Sequence, residues 1–217
     1  MRLYLSSYGL GNYSKELFKL VGVNKKIAII GNAGDHYGNK KERKESIQRQ
    51  STSLSGIGLV PQEIDLRKYF GKEKELEKKL KKFGAVWIKG GNTFILRKAM
   101  RLSGFDKIIK KMLKEDEIVY AGYSAGWCVL SKSLKGLDTV DNPKDNAVGY
   151  PKKIIWTGLG LIKYMACPHY KSDHPESISL GEEIKYYRKN KIPYKTLRDG
   201  EVIVVNGDKE KIFRNKK

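Results

Sequence analysis

The chain is poor in cysteine, with Cys128 and Cys167 alone among 217 residues. Two cysteines cannot build the disulfide framework of a small secreted fold, and no spacing in the chain matches a zinc site. They read as buried free thiols. Histidine is equally scarce: His36, His169 and His174 are the only imidazoles on which acid–base chemistry can draw. No apolar run approaches the ~20 residues that cross a bilayer. Met1–Ser7 is too short for the apolar core of a signal peptide. A cytoplasmic protein without a membrane partner is the expectation.

Acidic residues are also under-represented, 24 against 44 Lys and Arg, leaving a net charge of +20. Such an excess invites a nucleic-acid reading. Two features oppose it. Lysine outnumbers arginine 35 to 9, whereas bases and phosphates are read best by the guanidinium fork. The lysines are also dispersed over amphipathic segments. A nucleic-acid partner is therefore not expected, although a non-catalytic basic binding protein stays open as an alternative. Hydrophobic residues at 40% and charged residues at 31% give a globular balance. One domain spanning 1–217 is expected, with no internal repeat or linker.

Short apolar runs alternate with longer polar stretches of helical character. Arg2–Ser6, Lys26–Ile30, Val60–Leu66, Ala85–Ile88, Glu117–Ala121, Tyr164–Cys167 and Glu201–Val205 read as strands. Tyr13–Leu20, Lys72–Phe83, Phe94–Met100, Ile108–Leu113 and Pro175–Lys189 read as helices, and the polar Lys40–Ser53 as a further one. This alternation predicts an α/β fold with a mostly parallel sheet flanked by helices. In such sheets, sites form beyond the carboxyl ends of the strands. Gly90–Asn92, Ser124 and His169 fall there, and the loop-like stretch Gly136–Gly149 is expected to border them.

Gly122-Tyr123-Ser124-Ala125-Gly126 has the G-x-S-x-G pattern of a nucleophile elbow. It follows an apolar strand and opens an apolar helix (Trp127, Val129, Leu130). A serine on such a turn projects from the sheet, and the next amide and the helix N-terminus point at a developing oxyanion. The serine needs a base. His169, just after a strand at the expected sheet edge, is the best placed. His174 reads as a surface residue before a helix, and His36 as a loop residue that could line a pocket. A third group should orient the imidazole, and Asp138, Asp141, Asp199 and Glu201 all compete for that role. Lys89-Gly90-Gly91-Asn92-Thr93 ends a strand in consecutive glycines, so the Gly91 amide is a candidate second oxyanion donor beside Ala125. The loop lacks the Walker pattern of a phosphate cradle.

Taken in order, Gly90-Gly91-Asn92-Thr93-Phe94, the serine turn, and Gly158-Leu159-Gly160-Leu161-Ile162 leading to Cys167-Pro168-His169-Tyr170 resemble peptidase family S51, which contains dipeptidase E and cyanophycinase. The resemblance spans roughly residues 85 to 207. It implies a fold similar to class I glutamine amidotransferases with serine in place of cysteine. It also implies Ser124 as nucleophile, His169 as base, and Gly91 and Ala125 as oxyanion donors. In the family the acid follows the histidine, which favours Asp199, with Glu201 second. Implied with these is a serine exopeptidase, a dipeptidase with a preference for N-terminal Asp, acting on small peptides without metal or cofactor. An amidase or esterase on the same scaffold is the nearest alternative. Trp127 departs from the small residues common after the elbow and is expected to narrow the pocket. Oligomeric state is left open, a homo-oligomer included.

Overall fold

The computed structural model describes residues 1–215, apart from the side chain of Lys40. Its centre is a seven-stranded sheet in the order β3-β2-β4-β5-β1-β8-β9. The strands are β1 (Arg2–Ser6), β2 (Lys26–Ile30), β3 (Val60–Glu63), β4 (Ala85–Ile88), β5 (Val119–Tyr123), β8 (Val202–Asn206) and β9 (Lys209–Phe213). The first five pair in parallel, while β8 and β9 add an antiparallel edge.

Alternation along each buried strand loads both faces. Leu3, Leu5, Ala28, Ile30, Val86, Ile88 and Tyr120 point to one side, into a core completed by α3 (Glu73–Leu80), α4 (Thr93–Ser103), α5 (Phe105–Lys114) and α6 (Ala125–Cys128). Tyr4, Ile27, Ile29, Trp87, Val119 and Ala121 point to the other, where α1 (Ser14–Val21) and α2 (Lys40–Gly56) cover them. A third cluster joins the short β6 (Met165–Cys167) to α7 (Glu176–Lys189).

The expected α/β fold and most of its elements are present, and the differences have local causes. The strand expected at Val60–Leu66 stops at Glu63, because Asp65 accepts from the Arg67 amide and turns the chain into a 3₁₀ segment, Leu66–Tyr69. β5 runs on to Tyr123, so Gly122 and Tyr123 belong to the strand and not to the turn. β6 lies outside the main sheet and pairs in parallel with β7 (Tyr194–Thr196), a strand too short to stand out in sequence. β9, reading KEKIF, carries charges on an exposed edge, and this polarity hid it.

The joint between β4, β5 and α6 positions the serine. The Tyr120 hydroxyl donates to the Gly126 carbonyl at 2.6 Å, tying α6 to the strand beneath it. A Cβ on Gly126 would lie 2.5 Å from the Ile88 carbonyl oxygen. The helix can sit this close only because position 126 has no side chain. Gly126→Ala should therefore lower stability by about 1–3 kcal/mol through overpacking, read as a fall in the denaturant midpoint at unchanged m.

Candidate active site

Ser124 has φ 49° and ψ −116°, outside the regions that non-glycine residues favour. Such strain costs ~1–3 kcal/mol and persists only where neighbours over-determine it. Here the Trp127 and Cys128 amides both donate to the Ser124 carbonyl, at 2.8 and 2.9 Å, and its own amide donates to the Ser6 carbonyl. Gly91 has φ 139°, and a Cβ there would stand 2.7 Å from the Ala33 carbonyl oxygen. Among the described residues, the Gly91 and Ala125 amides donate to no protein group.

His169 is buried and also lies at positive φ, 60°. Its Nδ1 is 2.8 Å from Asp199 Oδ1. Asp199 is the acid that the fold brings to this imidazole. Glu201 instead accepts from the Arg198 amide and from Arg214. Asp138 accepts from the Gly136 amide, and Asp141 from the Thr93 amide at 2.8 Å. Burial disfavours charge on Asp199, but the hydrogen bonds from His169 and Ser7 outweigh it and hold the carboxyl below its usual range. The Asp199 amide donates to Ser172 Oγ at 2.8 Å.

Ser7 was absent from the sequence-derived candidates. It lies just past β1, and its buried Oγ accepts from the His169 amide and donates to Asp199 Oδ1, both at 2.7 Å. Its place at the carboxyl end of a parallel strand was the available signal. His174, expected on the surface, is half-buried and stacks on His169, with ring centroids 3.7 Å apart and planes 9° apart. His36 lies 3.8 Å from Asp145 and is not on the cavity wall that carries His169. Trp127 is fully buried in the core and does not narrow the pocket.

Ser124, His169 and Gly91 line one cavity of about 300 Å³. Residues of α2, including Arg43 and Arg49, form a wall of it, with Lys89. Arg43 is bound to Asp35, Glu63 and Asp65. Among the described residues, neither Lys89 nor Arg49 pairs with a carboxylate. Burial, then the nearby Arg49 and Arg43, push the Lys89 ammonium below its ordinary range. Ser124 Oγ and His169 share this space but are not hydrogen-bonded to each other, and His169 Nε2 stands 3.7 Å from Glu176 Oε2. No metal-like spacing is present in sequence, yet His169, His174 and Glu176 come together so that their ligating atoms lie within 4.8 Å of one another.

A sheet carrying a strained serine and a His–Asp pair at its carboxyl edge has the layout of a serine hydrolase. The sequence pattern of peptidase family S51 matches residues 8–213. An uncharacterised peptidase of Listeria monocytogenes is 27% identical over 67% of this chain and 68% of its own length. A probable alpha-aspartyl dipeptidase of Drosophila melanogaster is 22% identical over 90% of the chain and 75% of its own. Peptidase E of Streptomyces coelicolor is 29% identical over 58% of the chain, which spans half of that protein. The solved structure of a peptidase E-type protein from Listeria monocytogenes superposes with TM-score 0.80 at 22% identity, covering 99% of this chain and 98% of that one, a likeness of fold. The chain belongs to peptidase family S51.

Behind Ser124 a small second cavity is lined by Asp141 and Glu183. Burial pushes the Asp141 carboxyl up to about 6 against the hydrogen bond from Thr93. It pushes Glu183 up to about 8 although Tyr187 and Cys167 donate to it. Between about 4.5 and about 8 the folded chain thus keeps a proton on Glu183 that the unfolded chain has released. Stability should fall as pH rises through that window, by at most about 1.4 kcal/mol per pH unit. Glu183→Gln should flatten the slope, measured by denaturant titrations across the range. An unchanged slope would mean the carboxyl is ionised in the fold.

Proposed function

We propose that the chain is a serine dipeptidase preferring an acidic N-terminal residue. Ser124 Oγ attacks the scissile carbonyl while His169 Nε2 takes its proton and then delivers it to the leaving amine. An acyl-enzyme remains, which water hydrolyses by the reverse proton path. Asp199 holds Nδ1–H, setting the tautomer in which Nε2 carries the lone pair, and compensates the imidazolium charge. The Gly91 and Ala125 amides, free of protein acceptors, stabilise the tetrahedral oxyanion. The gap between Ser124 and His169 closes when substrate fills the cavity, as such contacts often do on leaving the apo state.

The observation that carries this reading is the cavity in which serine, His–Asp pair and two unpaired cations meet. At about 300 Å³ it is at the small end of ligand sites and suits a short peptide. Lys89 and Arg49 offer charge-assisted hydrogen bonds to a side-chain carboxylate, strong where water is thinned. The substrates named for the family's relatives agree with that chemistry.

Ser124→Ala should abolish both labelling by a fluorophosphonate and hydrolysis of Asp-X dipeptides. Asp199→Asn should lower kcat by about 10³–10⁴ with KM little changed. Lys89→Met should raise KM for Asp-X relative to Ala-X by roughly tenfold or more. A folded protein that neither labels nor turns over any dipeptide in a panel would overturn the proposal, and cleavage of amide or ester substrates alone would redirect it to an amidase or esterase.

A further inference from the structure

His169 is fixed in the manner of a metal-ligating histidine. Its Nδ1 is held by the Asp199 carboxylate at 2.8 Å, its side chain is 2% exposed, and the residue lines the cavity. A carboxylate behind the ring sets the tautomer and raises the basicity of the far nitrogen, which serves proton transfer and metal ligation equally. Glu176 Oε2 stands 3.7 Å from that nitrogen, and the His174 ring lies over the same imidazole. Among the described residues, no other three such groups gather this closely.

We propose that His169, His174 and Glu176 form a binding site for a zinc-class divalent cation, which shuts the enzyme off by occupying the lone pair of its base. The inhibitory half of this inference rests on the assignment of His169 as that base, while the binding half does not. Two imidazoles and one carboxylate match the donor preference of zinc, whereas calcium and magnesium require mostly oxygen. Zinc bonds of about 2.0–2.2 Å in a tetrahedron set neighbouring ligand atoms roughly 3.4 Å apart. From 4.8 Å the cluster must contract by about 1.4 Å at most. His169 cannot supply that movement, but the half-buried side chains of His174 and Glu176 can. His174 must turn out of its stack and give up a 3.3 Å hydrogen bond from the Glu176 amide, at the long end of the range. The carboxylates of Glu176 and Asp199 balance the two positive charges of the ion. The fourth position opens to the cavity, where water or a substrate carboxylate completes the tetrahedron.

The test uses the full-length protein stripped with a chelator. Zinc is titrated in competition with a chromophoric chelator, so binding is read without reference to activity, and Asp-X hydrolysis is followed in a parallel series. One zinc per chain should bind, and magnesium at the same concentration should not displace it. His174→Ala and Glu176→Gln, checked for folding by circular dichroism, should each weaken binding by about tenfold or more, and Asp199→Asn should do so through His169. Hydrolysis by the wild type should fall with the same apparent constant and return on chelation. Less than one zinc per chain, or variants that bind as tightly as the wild type, would overturn the site. Binding with the expected variant pattern but undiminished hydrolysis would overturn the inhibition. A chain inactive even when stripped would fail the dipeptidase reading, with the binding series still deciding the site.

Discussion

The parallel pairing of β1 with β5, in a register that sets Ser6 opposite Tyr123, is the constraint on which the site depends. Because the two strands end level, Ser7 and Ser124 leave the sheet side by side at its carboxyl edge. Ser124 turns into α6, while Ser7 becomes the hydrogen-bond hub between the His169 amide and the Asp199 carboxylate. A slip of one residue would turn every side chain of β1 to the wrong face. It would also take Ser7 from both partners. The two loops carrying His169 and Asp199 are thereby indexed to the sheet and not merely packed against it. Further bonds from the Tyr170 amide to the Leu197 carbonyl and from the Leu197 amide to the Cys167 carbonyl hold them together.

A polar network plays the corresponding role on the other wall. Asp35 accepts from Asn32, Arg43 and the Tyr150 hydroxyl, and Asp65 accepts from Asn32 and Arg67. Through Arg43 this network fastens α2, a helix with few apolar residues, as a wall of the cavity. Desolvation of such buried charges offsets much of their mutual attraction, so the network is weak evidence for added stability. With Arg43 committed to the network, Lys89 and Arg49 are left to face the cavity. Much of the net charge of +20 lies instead on solvated helix faces, where isolated pairs contribute little.

Burial sets the other conditions of the site. Glu183 and Asp141 sit behind the serine where ionisation is costly, and both Cys128 and Cys167 are buried free thiols held well above their ordinary range. Around Ser124, Glu183 on the core side is held protonated to about pH 8, while the cavity side carries charge of both signs, Lys89, Arg43 and Arg49 with Glu42 and Glu176.

By itself the sequence determined the α/β alternation, five of the seven central strands to within a residue or two, the G-x-S-x-G turn and the glycine loop, because each is a local pattern of period or backbone demand. It also narrowed the imidazoles to three. On the residues alone it left the acids Asp138, Asp141, Asp199 and Glu201 in competition, and only the family resemblance favoured Asp199, since the choice is a distance across 30 residues of chain and no local preference encodes it. The bonds of Ser7 to His169 and Asp199, the stacking of His174 on His169 and the approach of Lys89 and α2 to the cavity were invisible for the same reason. So was the gathering of His169, His174 and Glu176, whose spacing resembles no metal motif. β9 and β7 escaped notice because an exposed or three-residue strand needs no apolar alternation. Tertiary structure decided these points, because only strand register and burial bring residues distant in sequence within hydrogen-bonding range.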